Sequence, residues 1–423
     1  MVGELHVRST LVDDAGHRWH GRCRLLADSA GECWLSDAPA EPVTPSPHGS
    51  SDIFWRLYRE DCPATQEPVA DDALAPAIAP LECLDYALHA TDGAGERHGI
   101  VKRDRLPEGV QVERALPNGL RGALFTGGQN PRGVVLVLGG SEGGIAADRA
   151  AALAGCGYAA LALGYFAFED RPAVAERLPL EYFRDGLDFL RRRWPALPIT
   201  VWGGSRGSEA AMLCSIHFPE LVEGVIAWVP SHVVNPGFDM AGGEDFTVSS
   251  RPMWTLASEA LPDCGRLAAD EAMHAARAAS SAAAPGYRYA GEFLRVWQRV
   301  GADHPCRIAI ERARAKVLFV TAADDGLWPS AFAGEALAQR LRDAGERFTH
   351  CVLPDCGHAI GMPHEPRPFS HTSYWAPGYA GGKGAWVNQG GNPRSNACGA
   401  VRAWHTVLKF LDTVRAPRRV DPE

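Results

Sequence analysis

The chain has 423 residues, 46% hydrophobic and 22% charged, with a net charge of −9. That length exceeds one ordinary domain, and the balance is that of a globular chain with a large core. An acidic sum without a basic face excludes a general nucleic-acid role. The one basic run, Arg191-Arg192-Arg193, lies in a helical pattern and reads as a solvated helix face.

Eleven cysteines, an odd number without a CxxC pair, read as reduced thiols of a cytoplasmic protein and not as a disulfide framework or zinc site. The segment MVGELHVRSTLVDD lacks a charged n-region followed by an apolar run, so no leader is expected. The apolar runs fall short of a membrane span. From the N-terminus to about residue 115 the pattern is β. Alternating runs Leu5–Val12 and Trp19–Leu26 flank a turn at Asp13–Gly16, and a second turn at Asp28–Gly31 leads into Glu32–Leu35. Pro39–Ser51 reads as loop, and strands return at Glu82–Leu88 and Gly109–Arg114. Short strands at this spacing predict a β-sandwich. After Pro117-Asn118-Gly119, apolar strands alternate with helices. Strands are expected at Val134–Leu138, Ala159–Leu163, Ile199–Trp202, Val222–Trp228 and Lys316–Thr321. Helices are expected near 148–154, over about 180–193, and from Ser205 onward. This alternation predicts a doubly wound, mostly parallel sheet covered on both faces. An Ala-rich stretch from about 238 to 313 breaks the rhythm and is expected to form a helical cap insertion.

Gly203-Gly204-Ser205-Arg206-Gly207 lies between a strand and a helix, the context of a nucleophile elbow. A serine hydroxyl needs a base, and the base needs an orienting carboxylate. In α/β-hydrolase chain order the acid comes next, just past a buried strand. Asp324 and Asp325 compete there. In this fold the acid commonly precedes a proline by four positions, and with Pro329 that favours Asp325 and leaves Asp324 as a turn residue. His358, after a strand-like stretch and Gly357, is the expected base. The developing oxyanion needs two backbone donors, expected at Arg206 and, in the Gly139–Gly144 loop, at Ser141. That loop is neither GxGxxG nor GxxxxGK[ST], so no nucleotide cofactor is expected. No HExxH spacing marks a metal site.

Several segments, in order, resemble the acyl-CoA thioesterase / bile acid-CoA:amino acid N-acyltransferase family. They are Leu11–Trp19 through Glu32, Asn118–Phe125, Gly157–Phe166 with Glu169-Asp170, Leu180–Phe183, Pro230–Val234, Asp325–Ser330, Gly390–Arg394 and Ala403-Trp404. The resemblance implies an immunoglobulin-like sandwich over 1–115 and an α/β-hydrolase catalytic domain over 116–423. It implies Ser205, Asp325 and His358 as nucleophile, acid and base, and an acyl-enzyme formed from a thioester of coenzyme A or a carrier protein. Family members that transfer acyl groups to amino acids tend to carry cysteine as nucleophile, and hydrolytic members serine. The serine here points to water as the acceptor, with an amine or alcohol acceptor, or an oxygen-ester or lactone substrate, as alternatives. Two positions depart from the family pattern: Arg206 in the elbow, and Glu142, where a glycine is common. A Glu142 carboxylate facing the pocket would disfavour anionic substrates or bind an amine.

Overall fold

The computed structural model describes residues 4–13, 16, 18–26, 56–59, 83–92, 95–239, 251–265, 286–363, 367–368, 373–376 and 385–415. The expected turn at Asp28–Gly31, the segment Glu32–Leu35, the Pro39–Ser51 loop and residues 240–250 and 266–285 of the insertion lie outside that set.

The N-terminal strands are β1 (Glu4–Val12), β2 (Arg18–Leu26), β3 (Arg56–Arg59), β4 (Leu84–Asp92) and β5 (Gly95–Arg103). They pair antiparallel in one sheet, β3-β2-β1-β4-β5. Period-two alternation buries Val7, Ser9 and Leu11 of β1 on one face. Leu11, Trp19, Leu84 and Tyr86 form one small cluster, and Val7, Cys23 and Leu25 another. Trp19 donates its indole N–H to Asp13 at 2.9 Å, which satisfies that buried polar atom. A second facing sheet, which a sandwich requires, is absent among the described residues.

The next strands are β6 (Gln111–Glu113), β7 (Gly122–Thr126), β8 (Val134–Leu138), β9 (Ala159–Leu163), β10 (Leu178–Pro179), β11 (Ile199–Gly204), β12 (Gly224–Trp228), β13 (Trp254–Leu256), β14 (Glu259–Ala260), β15 (Lys316–Ala322) and β16 (Phe348–Leu353). The last three are β17 (Arg367–Pro368), β18 (Ser373–Ala376) and β19 (Ala385–Asn388). Eight of these form the large sheet, in the order β16-β15-β12-β11-β8-β9-β7-β6, in which only β7 runs against the others, antiparallel to both β9 and β6. The Gly109–Arg114 run, expected as a strand of the N-terminal domain, is a correction. Its core, β6, pairs with β7 at the edge of the large sheet, which therefore reaches back ahead of residue 116. In the other direction, β17 pairs with β3 and adds a late strand to the N-terminal sheet.

Helices α1 (Ala147–Gly155), α2 (Leu180–Arg193), α3 (Arg206–His217), α4 (Ala290–Arg299), α5 (Ser330–Asp343) and α6 (Pro393–Arg415) complete the layers. Along β8, Val134, Leu136 and Leu138 enter one core with α2, α3 and α5, while Val135 and Val137 enter a second with α1 and α6. This two-sided burial is why the central strands read as unbroken apolar runs. On α2, Leu180, Phe183, Leu187 and Leu190 recur at helical spacing and are fully buried, while Arg184 and Asp188 face solvent. Each such side chain contributes about 1.5–3 kcal/mol of burial.

Much of the Ala-rich stretch expected to form the helical cap lies outside the described residues. Its described residues hold one helix, α4, a 3-10 turn at Ile310–Arg312, and strands β13 and β14, which extend a small sheet begun by β10. Trp254 and Thr255, an aromatic and a β-branched residue, are buried in β13, where such residues suit a strand.

His232, just after β12, packs edge-on against Trp297 and Phe332, and its Nδ1 has no hydrogen-bond partner among the described residues. Burial, reinforced by Arg307 and Arg340, pushes its pKa from 6.5 to about 3. The folded chain therefore keeps this imidazole neutral where the unfolded chain protonates it. The stability it contributes is complete above pH 6.5 and is lost as pH falls toward 3, about 2 kcal/mol by pH 5. His232→Phe should move the acid-unfolding midpoint to lower pH while keeping a ring in that niche. An unchanged acid titration would refute this account.

Candidate active site

The strand order reverses between β8 and β11, which opens a crevice at their carboxyl ends. Ser205 follows β11 directly and holds φ 51°, ψ −118°, outside the regions side chains prefer. Such a conformation costs on the order of 1–3 kcal/mol and persists only where neighbours impose it. A Cβ on Gly203 would lie 1.8 Å from the Gly207 carbonyl oxygen, and one on Gly207 would lie 2.2 Å from the Gly139 oxygen. Both glycines of the motif are therefore steric requirements of strand-to-helix reversal. Ser205 also donates its backbone N–H to the Trp228 carbonyl at 2.9 Å, which ties the elbow to β12.

The three residues expected to act together converge. His358 Nε2 lies 3.0 Å from Ser205 Oγ. Its Nδ1 lies 2.9 Å from Asp325 Oδ2 and 3.1 Å from Oδ1. Asp325 Oδ1 also accepts the N–H groups of Leu327 (3.0 Å) and Trp328 (3.2 Å), so the carboxylate is held before it orients the imidazole. Trp328 stands edge-on to the His358 ring and anchors its own indole N–H on the Val229 oxygen. Asp325 and His358 are buried, at 5% and 8% exposure. Asp324 points elsewhere, accepting from Arg288 at 2.6 Å and from the Gly391 N–H at 2.7 Å.

That second bond exposes a part of the site that motif reasoning missed. The segment Gln389–Gly391, just ahead of α6, bridges the acid loop at Asp325 and the histidine loop at Cys356. The Gln389 carbonyl accepts the His358 N–H at 2.7 Å and the Gly326 N–H at 2.9 Å. Gly390 and Gly391 have φ of +74° and +65°. A Cβ at Gly390 would lie 1.8 Å from the Asp324 oxygen. The paired glycines were the available signal, since two successive positions of positive φ favour glycine at both.

A cavity of about 400 Å³ lies over the serine, lined by Gly140, Ser141, Glu142, Arg149 and Gln389 among others. Its size suits a small-molecule site. Glu142 does line it, but its Oε1 accepts the Gly140 N–H at 2.8 Å, so the carboxylate folds back on its own loop. With the Gly140 N–H engaged, Ser141 is the next backbone donor along that loop. Arg149, not anticipated from sequence, sets its guanidinium over the Trp202 ring at 4.9 Å beside the elbow.

Behind the nucleophile, Arg206 is buried and pairs with Glu209 at 3.3 Å, one turn along α3. Glu209 also accepts the Asn235 N–H (3.2 Å) and Nδ2 (2.9 Å) and the Trp254 indole (3.1 Å). Burial pushes the Glu209 carboxyl up, and Arg206 and these hydrogen bonds oppose it. All four neighbouring groups are donors, so the site is built for the carboxylate. The nine described cysteines form no disulfide. No described helix is long and apolar enough to cross a membrane.

Sheet order, elbow and the Ser205–His358–Asp325 hydrogen-bond chain together define an enzyme of the α/β-hydrolase type. The chain is similar to proteins of the acyl-CoA thioesterase / bile acid-CoA:amino acid N-acyltransferase family. The family model described as BAAT / Acyl-CoA thioester hydrolase C terminal matches residues 269–416. Human acyl-coenzyme A thioesterase 1 is 29% identical over 414 residues, 96% of this chain and 89% of that protein. The human mitochondrial acyl-coenzyme A thioesterase 2 is also 29% identical, over 96% of this chain and 77% of that one. Among solved structures, an α/β hydrolase from a Medee basin deep-sea metagenome library aligns at a TM-score of 0.39. Its identity is 14%, over 73% of this chain and 99% of that one.

Proposed function

We propose that the chain hydrolyses acyl thioesters of coenzyme A through an acyl-serine intermediate. His358 takes the Ser205 proton as Oγ attacks the thioester carbonyl, and Asp325 steadies the imidazolium that forms. The N–H groups of Ser141 and Arg206 receive the oxyanion. The thiol leaves with the proton from His358. His358 then activates water, which releases the acid and restores the serine. The observation that carries this reading is the unbroken hydrogen-bond chain from Ser205 Oγ to the Asp325 carboxylate. The carrier follows from the relatives named acyl-coenzyme A thioesterases. Water is the acceptor because an acyl-serine is an oxygen ester, less open to amines than an acyl-cysteine. The domain of β1–β5 is read as immunoglobulin-like, supported by the antiparallel pairing of β1, β2, β4 and β5, and a cytoplasmic location is read from the nine described cysteines, which form no disulfide.

The test is thiol release from a panel of acyl-CoAs, with mass spectrometry of the products, with and without amino-acid or alcohol acceptors. Free acid in every case is expected. An amide or ester formed only with acceptor would make the chain an acyltransferase. Silence on every acyl-CoA, with turnover of carrier-protein thioesters or oxygen esters, would overturn the choice of carrier.

A further inference from the structure

Far along the sequence from the serine, the β4–β5 hairpin carries a second constellation. His89 of β4 is directly paired with His98 of β5. Glu96 lies two residues from His98 on the same strand, and period-two alternation puts it on the same face. Directly opposed residues have Cβ atoms about 4.5–5.5 Å apart, within side-chain reach. The imidazole rings stand 4.6 Å apart, and His89 Nε2 lies 3.4 Å from Glu96 Oε2. One ligand atom from each of the three residues falls within 4.8 Å of the others.

We propose that His89, Glu96 and His98 bind one divalent transition-metal ion of the zinc class. A tetrahedral ion with bonds near 2.0–2.1 Å sets neighbouring ligand atoms about 3.3 Å apart. The His89–Glu96 separation already meets that spacing, and the exposed His98 side chain has room to close the third edge. Two imidazoles and one carboxylate select zinc, copper, nickel or cobalt over magnesium or calcium, which take oxygen ligands. A plain surface ion pair would draw little from this arrangement, since Glu96 is 65% exposed and such pairs contribute about 0–1 kcal/mol. A bound ion would instead clip β5, the edge strand of the N-terminal sheet, to β4.

The experiment uses the full untagged chain, stripped with chelator and titrated with zinc chloride by calorimetry, beside His98→Ala and Glu96→Gln. Wild type should bind about one equivalent more than His98→Ala, or bind at least about tenfold more tightly, the lower end of what losing even an outer partner of a metal site costs. Zinc should raise the Tm of wild type by mass action and leave that of His98→Ala unmoved. Magnesium should do neither. Circular dichroism checks that both variants keep the hairpin, and thioester turnover without added metal should be unchanged in both. Equal zinc binding by wild type and His98→Ala would place any bound ion elsewhere and overturn the proposal, as would wild type that binds none.

Discussion

Ser205→Ala is expected to lower kcat for acyl-CoA hydrolysis by about 10⁶-fold, the loss seen when a triad serine is removed. The size follows from its hydroxyl lying 3.0 Å from His358 Nε2, a place that no other hydroxyl takes among the described residues. Some acceleration over water persists, because the cavity and the backbone donors remain. The fold should be undisturbed. The Ser205 side chain makes no capping hydrogen bond to α3, and alanine meets the same backbone strain at φ 51° as serine. A Tm within a few degrees of wild type, measured on the same preparation, separates lost chemistry from lost structure. Mass spectrometry of rapidly quenched wild type should find an acyl adduct on Ser205 that the variant lacks. A variant retaining more than a tenth of wild-type turnover would sink the mechanism.

Glu209→Ala should destabilise the chain by about 3–5 kcal/mol, the range for breaking a buried ion pair by removing one partner. The truncation leaves Arg206 buried beside Phe238 and Trp328 without its carboxylate. It also strips the acceptor from the Asn235 N–H and the Trp254 indole. Trp254 sits in the insertion and Asn235 just ahead of it, so the carboxylate fastens the start of that segment to the helix that follows the nucleophile. Urea denaturation should show a lower midpoint at unchanged slope, the mark of a stability change alone. Glu209→Gln, which keeps an acceptor of the same shape, should recover part of the loss. A shift below about 1 kcal/mol in the alanine variant would mean that Arg206 finds another partner and that the network is not structural.

Much of the large-sheet domain is legible in the sequence alone. Val134–Leu138, Ala159–Leu163 and Leu180–Arg193 occupy the very bounds expected of them. Buried parallel strands and amphipathic helices declare themselves by composition and period, both local properties. The elbow was legible for the same reason: strand, two glycines, serine and helix are contiguous. Choosing Asp325 over Asp324 needed the habit of the fold, because adjacent aspartates differ only in where the chain turns each carboxylate.

By itself the sequence determined the order of strands and helices, the reversal at Ser205 and the kind of chemistry a serine, histidine and aspartate in that order can perform. The tertiary structure alone decided which distant backbones meet. Gln389–Gly391 reaches the acid and histidine loops only because α6 packs on the far face of the sheet. Glu209 becomes a hub only because Asn235 and Trp254 fold over α3. His89 and His98 become neighbours only through the register of β4 on β5. Secondary structure follows from preferences within a few residues, whereas these contacts close long loops. They form only when hydrophobic burial over the whole core outweighs the entropy of that closure.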